Sequence, residues 1–126
     1  MNTEANPKAA KLVIMLTHNA NDDKSTVAMT IANAALSAGR DVGIFLSSDG
    51  AELGRAGSCD YTNISPFKPL ADLIDAFVTN GGVVWACAPC VKHRGLKETE
   101  MATGVKIVGA GPMLEWLDEG ATTLSF

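Results

Sequence analysis

Short apolar runs recur along this chain, each followed by a stretch with helical spacing. That alternation constrains the fold more than any other feature. Residues 11–17 (KLVIMLT) and 41–46 (DVGIFL) are almost continuously apolar, the pattern of strands buried on both faces rather than strands with one wet side. Between them Val27, Ile31, Ala34, Ala35 and Leu36 repeat at helical intervals, and Gly39 stands where a helix C-cap belongs. A second helix is expected over 66–79 (PFKPLADLIDAFVT), with Leu70, Leu73, Ile74 and Phe77 on one face and Asn80-Gly81-Gly82 ending it. A third strand follows at 83–86, a turn and helix from Cys87 to Arg94 that runs on toward Met101, a fourth strand at 105–108, a short helix at 112–118 and a closing strand at 122–126. Strand–helix alternation of this kind implies an α/β protein, a three-layer α/β/α sandwich around a mostly parallel five-stranded sheet. The order of the strands is not readable from the pattern. Residues 47–65, rich in Gly, Ser, Asp and Asn, form the one long irregular stretch, and loops of that length are functional or contain a short helix.

With 126 residues, 47% of them hydrophobic, the chain suffices for one compact domain, expected over 11–126 behind a flexible leader of residues 1–10. The formal charge of −4 and the scattered Lys and Arg argue against direct nucleic-acid binding, which needs basic residues clustered on one face. No apolar stretch is long enough to suggest a membrane span, and the polar first residues carry no signal-peptide pattern, so a cytoplasmic location is expected. The cysteines number three, an odd count that does not read as a disulfide framework. They read as free thiols in a reducing compartment.

Two of them lie in the segment 85–95 (WACAPCVKHRG), directly after the third strand. Reactive groups in parallel sheets gather at the carboxyl ends of strands. Pro89 suits a first helical position, which places Cys87 near an N-cap, where unpaired backbone N–H groups favour a thiolate. Lys92, His93 and Arg94 add positive charge nearby. Cys87 is therefore a candidate nucleophile, against the plainer reading of a cysteine as a small core residue. Cys90 has the spacing of a vicinal redox pair and equally that of a residue pointing into the sheet. Cys59, in the long loop, reads as packed.

The pair spells a CxxC motif with a central proline, as in thioredoxin-like proteins, but two complete strand–helix units precede it, and the context fits poorly. A metal site of Cys87, Cys90 and His93 lacks the fourth ligand that structural zinc takes. Haem attachment fails because Val91 occupies the position needed by histidine. No cofactor and no metal are expected. Asp22 to Thr26 ends like a phosphate-binding loop without its glycines and with carboxylates facing the phosphate, so nucleotide binding is rejected. His18 and Asn19 follow the first strand and either line the same pocket or cap the first helix. Asp49 to Leu53 follows the second strand and reads as rim or as ordinary loop. Trp85 reads as core, and the turn 109–112 (GAGP) is a weak anion-site signal.

Taken together, the opening strand KLVIMLT, the segment STVAMTIANAALSAGRDVGIFLSSDGAEL and the cysteine-bearing stretch ACAPCVKHRGLKETE, with the closing helix and strand, resemble the DsrE/DsrF-like, TusBCD-related sulfur-relay family over residues 11–126. The resemblance implies a DsrE-like fold and a sulfur carrier with sulfurtransferase-like activity, in which Cys87 accepts sulfane sulfur as a persulfide and passes it on. It implies sulfur donor and acceptor proteins as partners and a homo-oligomer, trimer or hexamer, with a self-associating apolar face. His18, Asn19, His93 and Arg94 are then expected to bind the substrate, Arg94 holding an anionic persulfide. Cys90 departs from a single-cysteine carrier. It leaves open a thiol–disulfide oxidoreductase using both thiols, or a non-catalytic binding subunit whose cysteines are merely packed.

Overall fold

The computed structural model describes residues 10–126; the expected leader lies almost entirely outside them. Five strands, β1 (Lys11–Leu16), β2 (Asp41–Leu46), β3 (Val83–Cys87), β4 (Val105–Val108) and β5 (Thr122–Ser125), form one sheet in the order β4-β3-β2-β1-β5. Every pairing within it is parallel. The two runs that read as doubly buried are the central strands β1 and β2, and Val13, Ile14, Leu16 and Ile44 are fully inaccessible. β5, an edge strand, is exposed along its length, with Leu124 41% accessible.

Four helices cover the sheet: α1 (Asp23–Ser37), α2 (Leu70–Thr79), α3 (Ala88–His93) and α4 (Gly111–Asp118). Side chains alternate across a strand, and the packing divides accordingly. Leu12, Ile14, Leu16, Val42, Ile44, Leu46 and Val84 meet α1 and α2 in the main core. Ala86 meets Val91 of α3 on that same face. The opposite face presents Val13, Phe45 and Trp85 to Met113, Trp116 and Leu117 of α4. Trp85 is buried, as expected, and its ring meets that of Trp116 edge-on at 5.1 Å. Gly43 makes room for the indole, since a β-carbon there would stand 2.5 Å from it.

Helix boundaries follow local chemistry. The Asp22 side chain accepts from the Lys24 N–H and caps α1, which removes the expected capping role from His18 and Asn19. The second helix begins at Leu70 rather than at residue 66, because Pro69 disfavours helical backbone at Lys68 and so occupies the N-cap position itself. The third ends at His93 rather than running toward Met101: Gly95 adopts φ +66° and turns the chain away. The irregular stretch after β2 opens with a 3-10 helix, Ser48–Gly54.

Among the described residues, one buried side-chain polar atom has no partner. Thr26 is fully buried and its hydroxyl makes no hydrogen bond. Replacing it by valine keeps the shape and removes the desolvated hydroxyl, so Thr26→Val is expected to stabilise the fold by about 1 kcal/mol, read from chemical denaturation. A loss of similar size would show that the hydroxyl has a partner in solution.

Candidate functional site

Register builds the site. β1 and β2 run in step from Lys11 opposite Asp41 to Leu16 opposite Leu46, and Leu46 lies opposite Ala86 of β3. Thr17 and Ser47, just past β1 and β2, and Cys87, the last residue of β3, therefore stand side by side at the carboxyl edge of the sheet. Each leads directly into one wall of the site: residues 17–22 after β1, the 3-10 helix after β2, and α3 after β3.

Cys87 is the N-cap of α3 and half-buried. Its side chain packs against the face of Val13, Phe45, Trp85 and Met113. Cys90, one helical turn on, is also half-buried and packs toward Ala51, Ala86 and Val91. The Ser48 N–H donates to Cys90 Sγ at 3.3 Å. Ser48 is the one non-glycine residue with positive φ among those described, at 51°. Arg94, at the end of α3, reaches back to the 3-10 helix: its guanidinium donates to Asp49 Oδ1 at 2.7 Å, and its Nε lies 3.7 Å from Glu52 Oε2. The other Glu52 oxygen accepts from Asn19 Nδ2 at 3.2 Å. One polar chain thus runs from the loop after β1, through the 3-10 helix, to α3.

Of the sequence-predicted residues, Cys87, Cys90, Arg94 and Asn19 come together in this way. His18 stays local, with Nδ1 3.3 Å from the Thr17 hydroxyl and Nε2 3.6 Å from Asp22. His93 is exposed at the end of α3, and no hydrogen bond or ion pair joins it to the others among the described residues. Cys59 is buried beside Ser58. No cluster of His, Cys, Asp or Glu among the described residues has the makings of a metal site. No described helix is long and apolar enough to cross a membrane. Ser48 was not foreseen: it acts through its backbone, and only the polar run after β2 hinted at a working loop.

The electrostatics correct one expectation. Cys87 was expected to favour the thiolate, yet burial pushes its thiol above the ordinary range, and the neighbouring Cys90 thiol pushes the same way. The Cys90 backbone N–H and the Arg94 guanidinium oppose the rise without reversing it. The physical reason is the apolar wall of Val13, Phe45 and Trp85, which takes water from the sulfur and penalises its anion. At rest Cys87 is a neutral thiol. Iodoacetamide is accordingly expected to alkylate Cys87 more slowly at pH 7 than an unhindered cysteine, with the rate still climbing at alkaline pH. Arg94→Gln makes it slower still, since one source of thiolate stabilisation is lost. An unchanged pH–rate profile in that variant would show that the guanidinium does not act on the sulfur.

Against known proteins, residues 10–126 match the family described as DsrE/DsrF-like. The chain is 31% identical over 104 residues to the uncharacterized protein MK0008 of Methanopyrus kandleri, covering 82% of this chain and 83% of that one. It is 30% identical over 107 residues to the uncharacterized protein MJ0760 of Methanocaldococcus jannaschii, covering 85% of this chain but spanning only 39% of that longer protein. Among solved structures it superposes on the ychN protein from E. coli with a TM-score of 0.77 at 16% identity, covering 94% and 100% of the two chains. It superposes on MTH1491 from Methanobacterium thermoautotrophicum with a TM-score of 0.68 at 19% identity, covering 93% and 99%. These likenesses show a shared fold.

Proposed function

The chain belongs to the DsrE/DsrF-like family, and from that premise we propose that it is a sulfur carrier, taking up sulfane sulfur as a persulfide on Cys87 and handing it to an acceptor thiol. Members of the family act in sulfur-relay complexes, and a sulfur-relay-related role follows from membership. The observation that carries the finer reading is the placement of Cys87: a half-buried thiol at the carboxyl edge of the sheet, backed by an apolar wall and accompanied by the Arg94 guanidinium.

In the proposed step the Cys87 thiolate attacks the outer sulfur of a donor persulfide. A new S–S bond forms at Cys87 while the donor's S–S bond breaks, and the donor leaves as a thiolate that takes up the proton Cys87 has lost. No net oxidation occurs. The reverse chemistry on an acceptor thiol empties the carrier. A thiol that rests protonated suits this role, because the thiolate and not the thiol is the nucleophile for stray disulfides and oxidants. Transfer then waits for a donor whose departing thiolate accepts the proton. Arg94 supports the persulfide anion once formed, and Asp49 and Glu52 hold the guanidinium in place. Donor and acceptor proteins, and a homo-oligomer presenting the site to them, belong to the same proposal, as does a cytoplasmic setting.

The test uses a Cys59→Ser/Cys90→Ser variant, in which Cys87 is the only cysteine left. Given glutathione persulfide and then desalted, it is expected to gain the mass of one sulfur atom, mapped to Cys87 and released by cyanide as thiocyanate. Failure to gain that sulfur would overturn the proposal and leave a binding subunit as the better reading.

A further inference from the structure

A carrier needs one thiol, and this site holds two, one helical turn apart. We infer that Cys90 is a resolving thiol that empties Cys87 when no acceptor arrives, releasing the carried sulfur as hydrosulfide and leaving a Cys87–Cys90 disulfide. The inference rests on Cys87 being the sulfur acceptor.

Geometry carries it. Cys87 is the N-cap of α3 and Cys90 lies three residues on, a single helical turn away, so Cys90 needs little movement to reach Cys87 Sγ. Cys90 is also held from a second element, receiving the Ser48 N–H at 3.3 Å. That donor exists only because Ser48 takes a left-handed conformation, φ 51°, which non-glycine residues adopt at a cost and which persists where the surroundings enforce it. The enforcement is visible: the Asp49–Arg94 ion pair ties the residue after Ser48 to the end of the helix that bears Cys90. The Ser48 N–H thus holds the attacking sulfur in a fixed place, while the apolar wall withholds water from Cys87.

The step balances. In a persulfide anion on Cys87 the outer sulfur is the sulfane atom. The Cys90 sulfur attacks Cys87 Sγ, forming the Cys87–Cys90 bond. The bond from Cys87 Sγ to the sulfane sulfur breaks with its electron pair going to the latter, which departs as hydrosulfide carrying the proton given up by Cys90. The sulfane sulfur gains two electrons, and the two cysteine sulfurs each lose one. A dithiol reductant restores the pair for another round through thiol–disulfide exchange. Transfer to a docked acceptor and discharge by Cys90 then compete for the same persulfide.

The experiment follows a single loading. Wild type, Cys90→Ser and Cys90→Ala each receive one equivalent of glutathione persulfide with no other thiol. Free sulfide, cyanide-labile sulfur and non-reducing intact mass are followed with time, and circular dichroism checks the fold of each variant. Wild type is expected to release close to a full equivalent of sulfide and to end as a disulfide mapped to Cys87 and Cys90. Both variants are expected to keep the cyanide-labile sulfur about tenfold longer or more, since only adventitious thiol can then discharge it. Equal retention in wild type and variants overturns the inference while leaving the carrier intact. Should the variants not fold, wild type decides alone: sulfur retained, or sulfide released without the mapped disulfide, overturns it. If folded Cys90→Ser gains no sulfur on Cys87, the carrier reading itself fails, and the inference falls with it.

Discussion

In a Cys90→Ser background, Cys87→Ser is expected to lower cyanide-labile sulfur after persulfide treatment from about one equivalent to background, while Cys59→Ser in the same background keeps the full load. The contrast is all-or-none because of the chemistry at stake. A serine hydroxyl is not ionised near neutral pH, and its oxygen does not form a bond to sulfane sulfur that survives in water. With Cys90 also replaced, no thiol remains at the site to restore that nucleophile. The fold should barely notice, since serine replaces a half-buried cysteine of similar size at an N-cap, a position serine favours, and the cost is expected to be below about 1 kcal/mol. An unchanged melting temperature alongside lost loading would separate chemistry from stability. In the single Cys87→Ser variant, sulfur appearing on Cys90 would move the acceptor role one turn along the helix and sink the assignment of Cys87. Cys59 is the internal control: burial holds its thiol above the usual range, and no site residue approaches it.

Gly50→Ala is expected to cost about 2–3 kcal/mol and to lower the melting temperature by roughly 8–12 °C. Gly50 is buried in the 3-10 helix after β2, where its bare Cα lies against the end of β1; a β-carbon there would collide with the Leu16 carbonyl group. The obstacle is main chain, so no rotamer change relieves it. Either β1 bends or the 3-10 helix lifts away, and the latter carries Ser48, Asp49 and Glu52 with it. The expected signature is therefore double: lower stability, and loss of the Arg94–Asp49 contact with less protection of Cys90 against alkylation. Wild-type stability in this variant would mean that the loop is not seated on β1 as described.

How much of this was legible in the residues themselves varies with the physics involved. The runs KLVIML and DVGIFL announced central strands because burial on both faces leaves no polar positions. Nothing in them announced which strand lies beside which, since apolar periodicity records burial and not neighbours. β5 beside β1, with β2, β3 and β4 on the other side, came only with the structure. The start of α2 was misplaced because the period of Leu70, Leu73, Ile74 and Phe77 marks a face and not a beginning, while the backbone restriction imposed by Pro69 fixes the first residue. Cys87 was found from its place after a strand and before a proline. Its charge state was misjudged because the N-cap is a local feature, whereas the wall that desolvates it is assembled from Val13, Phe45 and Trp85 on three different strands. The 3-10 helix stayed hidden inside a stretch of Gly, Ser and Asp whose composition marks a loop and does not tell which kind.

The contact at Ser48 has one more consequence. Because the donor belongs to the peptide unit, position 48 is free to change its chemistry so long as it keeps its handedness: glycine, asparagine or aspartate tolerate that backbone and would present the same hydrogen, whereas proline would abolish it and β-branched residues would resist the conformation. A working part of this molecule can thus stay constant while the letter that encodes it drifts, and relatives that differ there need not differ in what the loop does.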